Sequence, residues 1–115
     1  MVVEILLKRG EVLVNKANLD CQSPLYTAAT EGHEKVVELL LRRGDIQVNQ
    51  AGLDGDTPLN SAAHMGHHQI VDLILKRGDI DVNQATTTYG STPFHRAAQH
   101  GDSELAKLLL TRKDV

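Results

Sequence analysis

Three histidines give the strongest reason in this sequence to consider chemistry. His64, His67 and His68 are offset by three and four residues, so a continuous helix would carry them on one face, where imidazoles could bind zinc. Gly66 lies between them, however, at a predicted helix break. We therefore interpret one as a hydrogen-bonding loop histidine and two as solvated side chains, and expect no metal and no cofactor. A metal-binding domain using these histidines is the alternative.

The sequence shows no apparatus for nucleophilic catalysis. Cys21 has no basic neighbour in sequence except Lys16, and Ser23 is better explained as a helix cap. The acidic residues are scattered, and the glycines are isolated, so nothing resembles a phosphate-binding loop. These observations predict a protein without enzymatic activity.

Composition excludes several classes of protein. The 115 residues suffice for one domain, and its net charge of −3 does not suggest nucleic-acid binding. The single cysteine excludes an internal disulfide and fits a reducing compartment. There is no recognisable signal peptide, and no apolar run approaches the roughly 18 residues of a membrane span. We therefore expect a cytoplasmic or nuclear protein with no membrane contact.

A set of markers recurs along the chain at intervals of 34 residues, or of 35 at the last step. The segment VVEILLKR at 2–9 also matches 36–43 and 70–77, so the chain opens on the second half of a repeat. A single copy of two short helices cannot bury its own apolar face, so such copies stack in arrays. The markers are Gly10, Gly44 and Gly78; Pro24, Pro58 and Pro93; Ala28-Ala29, Ala62-Ala63 and Ala97-Ala98; and Asn15, Asn49 and Asn83.

Each copy predicts two helices with defined ends. A hydroxyl residue followed by proline, as at 57–58, suits the N-cap and first helical positions, and a glycine such as Gly66 ends the first helix with a positive φ. The second helix has apolar residues at helical spacing and a basic pair in its last turn, which suits the helix dipole. Gly44 and Gly78 are predicted to stop the second helices, and alternating Ile and Val predict an extended segment afterwards.

The motif TPLN at 57–60, with SPLY and TPFH in the neighbouring copies, resembles the T-P-L-H signature of ankyrin repeats, as do the alanine pairs and the Gly-His steps. This resemblance covers essentially the whole chain. It implies an all-α repeat fold, an α-solenoid in which helix-turn-helix units stack and β-turn fingers connect them. It further implies a single domain over 1–115, with a leading half-repeat and finger at 1–20 and repeats at 21–54, 55–89 and 90–115.

The sequence departs from the family pattern in three respects. The period is 34 rather than 33 residues, and the last connector carries a further insertion around 86–88. Cys21 stands where the other fingers have glycine; if that position has a positive φ, the cysteine costs about 1–2 kcal/mol there. Tyr26 and Asn60 replace the signature histidine, which puts its usual hydrogen bonds to neighbouring loops in question.

The resemblance also implies a binding surface and a kind of partner. Family logic places contacts with a protein or peptide on a concave face, formed by the fingers and the first helices. Acidic residues on the first two repeats favour a partner with a basic segment. The implied contact residues are Leu19, Asp20, Gln22, Thr30, Glu31, Leu53, Asp54, Asp56, His64, Met65, Thr88, Tyr89, Ser91, Arg96, Gln99 and His100.

Four of these contact residues are apolar in places that packing does not demand. We expect Met65 and Tyr89 to be exposed, and exposed apolar groups rimmed by polar ones are typical of protein-binding sites. Leu19 and Leu53 are either exposed in the same way or packed finger against finger. Together with the resemblance, these four residues favour a non-enzymatic scaffold that binds a protein or peptide partner.

Two further interpretations concern modification and assembly. Residues 75–83 resemble the site of the asparaginyl hydroxylase that acts on ankyrin repeats, with Asn83 as the candidate; the alternative, which we favour, is that Asn83 serves its turn. Neither end resembles a dedicated cap, because the apolar residues at 2–7 and 105–110 have no further repeat to pack on. We therefore predict that the chain is a piece of a longer array or that its ends self-associate.

Overall fold

The computed structural model describes residues 13–87 and 89–112. Residues 1–12 of the predicted leading half-repeat, and Thr88 of the predicted contact set, lie outside this part. Within the described ranges, six α-helices of eight residues each follow one another in three pairs, and one 3-10 turn spans Leu53–Gly55. The helices are α1 (Pro24–Glu31), α2 (Glu34–Leu41), α3 (Pro58–Met65), α4 (His68–Leu75), α5 (Pro93–His100) and α6 (Ser103–Leu110).

The helices form two layers. The inner helices α1, α3 and α5 pack on one another in order, and the outer helices α2, α4 and α6 do the same, while each inner helix contacts the outer helix of its own pair. Ala29 and Ala62 are completely buried between inner helices, as the predicted close approach requires. The all-α repeat fold is thus confirmed. Within 13–87 and 89–112, no helix has the length and apolar character needed to cross a membrane.

The ends of the inner helices follow the predicted chemistry. The hydroxyl groups of Ser23, Thr57 and Thr92 accept the backbone N–H of the residue three positions later, and proline takes the first turn each time. Each helix ends at a glycine in the left-handed region, because a side chain there would clash with the following carbonyl. These glycines are Gly32, Gly66 and Gly101, with φ angles of 79°, 74° and 62°.

The outer helices end differently from the prediction. They stop at Leu41 and Leu75, before Gly44 and Gly78, and neither glycine has a positive φ. The basic pairs therefore follow these helices instead of lying in their last turns. The chain then folds into turns that bury the apolar Ile and Val side chains, and no strand forms anywhere in the described ranges. The predicted alternation is kept, with Ile46 and Val48 buried and Gln47 exposed between them, but these segments pair with no strand among the described residues.

Each connector continues into a finger closed by a backbone hydrogen bond. Finger 1 (18–22) is closed from Asn18 N–H to Gln22 O and finger 2 (52–56) from Gly52 N–H to Asp56 O, at 2.9 and 2.8 Å. Finger 3 (86–91) is closed at 2.9 Å across one additional residue, which locates the predicted insertion. Fingers 2 and 3 are joined by a bond of 2.7 Å from Thr87 N–H to Asp54 O. Adjacent fingers therefore support one another.

Cys21 adopts a φ of 62°, the left-handed conformation that Gly55 and Gly90 adopt in the other fingers. A side chain in that conformation costs about 1–2 kcal/mol. We therefore expect Cys21→Gly to raise the free energy of unfolding by about 1 kcal/mol, less than the full cost because glycine also loosens the unfolded chain. Urea denaturation measures the change. Cys21→Ala, which removes the thiol and keeps the strain, is the matched control and should unfold like the wild type; an equal gain from both would refute the conformational explanation.

Long-range hydrogen bonds from arginine side chains connect successive repeats, and the sequence patterns did not identify them. Arg77 Nη1 donates to Leu41 O at 2.7 Å and to Arg43 O at 3.2 Å, so it binds the end of the preceding outer helix. Arg112 makes the same contacts one repeat later, with Leu75 O at 2.8 Å and Arg77 O at 3.3 Å. These arginines therefore act across the stack, at the end of the preceding outer helix.

The recurring asparagines form a second set of such bonds. The Nδ2 of Asn15 donates to Asp45 O, and its Oδ1 accepts from Gln47 N–H, both at 2.8 Å. Asn49 repeats the pair with Asp79 O and Asp81 N–H, again at 2.8 Å. One amide side chain thus satisfies two backbone groups of the next connector, which explains the recurrence of asparagine at this position.

The apolar residues near the end of α6 are mostly covered. Leu105 and Leu109 are buried, although the sequence suggested that they lacked a packing partner, because they face α5 and α4 within the stack. Leu108 packs against the core, and Leu110 is exposed. The corresponding residues at 2–7 lie outside the described part of the chain.

Candidate functional site

The fingers and the final residues of the inner helices form one surface, which we call the finger surface. Most predicted contact residues are exposed on it: Leu19, Asp20, Glu31, Leu53, Asp54, His64, Met65, Tyr89, Gln99 and His100. Five others are half-buried: Gln22, Thr30, Asp56, Ser91 and Arg96.

Large apolar side chains are prominent on the finger surface. Leu19 is fully exposed, and Leu53, Met65 and Tyr89 are exposed by 64%, 51% and 87%. Leu19 and Leu53 therefore do not pack finger against finger, which was the alternative interpretation of these two residues. Large exposed apolar groups that the core does not use are typical of surfaces that bind other proteins.

A cleft of about 260 Å³ opens between fingers 2 and 3. It brings together five residues that the sequence placed in the contact set: Leu53, Asp54, Asp56, Tyr89 and Arg96. Its lining also includes Tyr26 and Thr86, which the sequence analysis did not place in that set. The signal that could have identified Tyr26 is its position in the SPLY motif, where the family has a histidine that reaches toward a neighbouring loop.

Tyr26 and Asn60 preserve the bridging that the signature histidine was expected to provide. The Tyr26 hydroxyl donates to Asp56 Oδ2 at 2.7 Å, and the Nδ2 of Asn60 donates to Gln84 O at 3.0 Å. Burial, and then the hydrogen bond and negative charge of Asp56, raise the pKa of Tyr26. Both replacements thus reach the next connector, so the inter-repeat bond survives a change of residue type.

Two predicted contact residues instead serve the stack or their own finger. The Thr30 hydroxyl donates to Tyr26 O at 2.8 Å and contacts the Ser61 hydroxyl, which ties α1 to α3. Gln22 Oε1 accepts from the Asn18 side chain at 3.3 Å within finger 1. Their polar groups are therefore already engaged inside the protein.

The three histidines considered for zinc point to three different partners. His64 Nδ1 accepts from Arg96 Nη1 at 2.9 Å, His67 Nε2 donates to Thr30 O at 3.1 Å, and His68 Nε2 donates to Asp102 Oδ2 at 2.8 Å. In the part of the chain that the structure describes, no three metal-ligating side chains cluster. The break at Gly66 separates the imidazoles, so the geometry does not favour the metal-binding alternative.

His68 and Asp102 form an inter-repeat hydrogen bond that the sequence patterns did not indicate. Asp102 caps α6 by accepting from Leu105 N–H at 3.0 Å, and its carboxylate also receives His68 Nε2–H. These two bonds lower the pKa of Asp102, with the histidine contributing most. The last residue of the predicted histidine cluster thus holds two repeats together.

His64 makes a pH-dependent contact at the edge of the finger surface. Its ring lies 5.2 Å from that of His100, and burial, followed by the charges of Arg96 and His100, lowers its pKa. Because the unfolded chain then binds the proton more tightly, folding stability should fall as the pH drops below histidine's ordinary pKa of about 6.5.

We expect His64→Gln, whose amide oxygen can still accept from Arg96, to lose less stability than the wild type between pH 7 and pH 5. Urea titrations at a series of pH values measure this difference. His33→Gln, at the histidine that precedes α2 without capping it, is the control and should follow the wild type. Identical pH profiles for all three proteins would contradict the assigned role.

Asn83 is exposed, and its backbone N–H donates to Asp81 Oδ1 at 3.0 Å. Asp81, the acidic residue two positions before Asn83 in the segment that resembles a hydroxylation site, thus stabilises the local turn. Asn15 and Asn49, at the equivalent positions, are half-buried. In each of them the side-chain Nδ2 and Oδ1 both bond to the backbone of the next connector. The bond to Asp81 uses only the backbone of Asn83, so the role of its side chain in the turn and its modification both stay predictions.

Comparison with known proteins agrees with the repeat architecture. A sequence model of ankyrin repeats in three copies matches residues 45–115, and a model of the single ankyrin repeat matches residues 20–52. A search of curated proteins gives no match. Ankyrin repeats are generally protein–protein interaction modules, usually bind protein partners and are typically not enzymes. The matched segments, the paired helices and the recurring caps together show that this chain belongs to the ankyrin repeat family.

Proposed function

We propose that the finger surface binds a protein or peptide partner and that the chain acts as a non-enzymatic scaffold in the cytoplasm or nucleus. The observation that carries this proposal is the exposure of Leu53, Met65 and Tyr89 beside a polar cleft. Burying such side chains against a partner removes apolar area from water, which favours association by about 25 cal/mol per Å² before the costs of ordering. Their position on adjacent repeats offers a partner one continuous contact.

The charges of this surface indicate the kind of partner. Asp20, Glu31 and Asp54 are exposed on the first two repeats, and Asp56 lines the cleft beside them. A partner segment rich in lysine or arginine would be complementary there. Such an attraction weakens with salt, because the Debye length at physiological ionic strength is about 8 Å. Retention of the partner should therefore decrease as salt is added to the wash.

Affinity capture from a native lysate, followed by mass spectrometry, tests the proposal. The bait carries Leu53→Asp, Met65→Asp and Tyr89→Asp together and is compared with the wild type. We expect partners that the wild type retains to be lost from this variant, because three charges would have to be buried at the interface. Circular dichroism first establishes that both baits have the same helix content and melting temperature.

A matched control adds three negative charges elsewhere. Gln69→Asp, Ser103→Asp and Leu110→Asp change exposed positions of the outer helices α4 and α6 and should leave capture intact. Equal capture by all three baits would show that the finger surface is not the binding site. Light scattering of the same preparations tests the competing proposal, which is self-association through the repeat ends and is suggested by the exposed Leu110.

A further inference from the structure

We propose that the cleft between fingers 2 and 3 receives the side chain of one arginine from the partner. This inference rests on the proposed function of the finger surface and specifies the residue type that enters it. The cleft volume of about 260 Å³ exceeds that of a single side chain, so a guanidinium and its methylene stem fit without a change of backbone. Three properties of the cleft favour arginine, namely its charge, its hydrogen-bonding groups and the shape of its walls.

The charge of the cleft favours a cation. Its lining contains the carboxylates of Asp54 and Asp56 and the guanidinium of Arg96, which gives a formal charge of −1. Arg96 directs its Nη1 to His64 at 2.9 Å. A cation entering the cleft would therefore meet a net negative charge between walls that partly exclude water, where electrostatic attraction is stronger than in bulk solvent.

Asp56 provides the hydrogen-bonding group. Its Oδ2 accepts from the Tyr26 hydroxyl at 2.7 Å, which engages one of the two carboxylate oxygens. Its Oδ1 is buried and has no hydrogen-bond partner among the described residues. A desolvated carboxylate oxygen without a donor is unfavourable. When the Asp56 side chain turns slightly toward the cleft, an entering guanidinium would donate the missing N–H to Oδ1.

The walls favour arginine over lysine. Leu53 and Tyr89 line the cleft and are largely exposed, so they present apolar surface and one aromatic ring to an incoming group. A planar guanidinium stacks on an aromatic ring and donates several fixed N–H bonds. A lysine ammonium is more strongly hydrated and is a point charge on a flexible stem, so it would gain less from flat walls.

An NMR titration with N-acetyl-arginine N-methylamide tests the proposal without an identified partner. Amide shifts are followed in the ¹⁵N-labelled full chain. We expect millimolar binding with the largest shifts at 52–56, 87 and 89–91. The lysine derivative should bind more weakly, and the citrulline derivative, a neutral isostere of arginine, should bind weakest. Equal binding of any two of the three compounds, or no localised shifts at the highest arginine concentration, would overturn the proposal.

Two variants and a control locate the site. Asp56→Asn retains an acceptor for Tyr26 and should weaken arginine binding roughly tenfold, as expected for the loss of one charge-assisted hydrogen bond. Tyr89→Ala removes an 87% exposed ring, which the fold does not need, and should weaken binding roughly threefold. Asp20→Asn removes one acidic charge from finger 1, outside the cleft, and should have no effect. Unchanged affinity in Asp56→Asn would overturn the assignment.

Failure of this inference is distinguishable from failure of the proposed function. If the finger-surface variant loses its partners in the capture experiment but arginine does not bind the cleft selectively, the surface binds a protein through other groups. If arginine binds selectively but capture is unaffected, the cleft is a cation site outside the main interface. The two measurements use different binding partners and different readouts, namely lysate proteins detected by mass spectrometry and arginine derivatives detected by NMR.

Discussion

Replacing Asn60 by aspartate is expected to lower the free energy of unfolding by about 3 kcal/mol or more, the cost of an uncompensated buried charge. Asn60 is completely buried, and its Nδ2 donates to Gln84 O in the next connector. An aspartate would place an oxygen against that carbonyl oxygen and a negative charge among buried groups. The inter-repeat bond would become a repulsion without any change of side-chain size.

The pH dependence of this variant provides a sharper test. A buried aspartate has a raised pKa, so the folded variant binds a proton more tightly than the unfolded chain does. Its deficit relative to the wild type should therefore shrink as the pH falls, since the protonated carboxyl group of the variant can donate to Gln84 O. Urea denaturation at pH 7 and pH 4.5 measures the change.

Asn60→Ala is the matched control for that experiment. It removes the same donor without adding a charge, and we expect a loss of about 1–3 kcal/mol at both pH values. If alanine and aspartate were equally destabilising, and neither loss varied with pH, a negative charge against Gln84 O could not be the cause of the aspartate's effect.

Arg77→Ala is expected to destabilise the protein by about 2 kcal/mol, the usual effect of losing hydrogen bonds from a charged donor. Arg77 donates to the carbonyls of Leu41 and Arg43 in the preceding repeat and also pairs with Asp79 at 2.9 Å. Its removal takes the guanidinium donor away from the Leu41 carbonyl at the end of α2 and from the Arg43 carbonyl just after it. Thermal and urea unfolding, followed by circular dichroism, measure the loss.

Arg42 supplies the control, because it is the same residue type in the preceding repeat but bonds only locally among the described contacts. It forms an exposed pair with Glu38 one helical turn away, at 2.8 Å, and such pairs contribute about 0.5 kcal/mol or less. Arg42→Ala should therefore be close to neutral. Arg77→Lys should recover only part of the stability. A lysine ammonium keeps the positive charge but lacks the planar guanidinium that bonds three groups at once. Equal losses from Arg77→Ala and Arg42→Ala would show that the hydrogen bonds from Arg77 to the preceding repeat contribute little to the free energy of unfolding.

The family resemblance and the local patterns predicted the fold well because they depend on neighbours in sequence. A hydroxyl group before proline caps a helix whichever repeat surrounds it, and Gly66 must adopt a positive φ wherever a helix reverses there. The cysteine at position 21 was correctly identified as strained for the same reason. The candidate site could be outlined from the finger positions, although its cleft required knowing how fingers 2 and 3 lie side by side.

The sequence by itself determined the repeat period, the helix pairs, the caps of the inner helices and the apolar faces, since each follows from spacing and from local backbone preferences. Only the tertiary structure decided which side chains bridge the repeats. Tyr26 meets a partner 30 residues away and Arg77 one 36 residues away, and no local pattern encodes such distances. The packing of α1, α3 and α5 sets the offset between repeats, and that offset selects the partners of the histidines and the arginines and shapes the cleft at the finger surface.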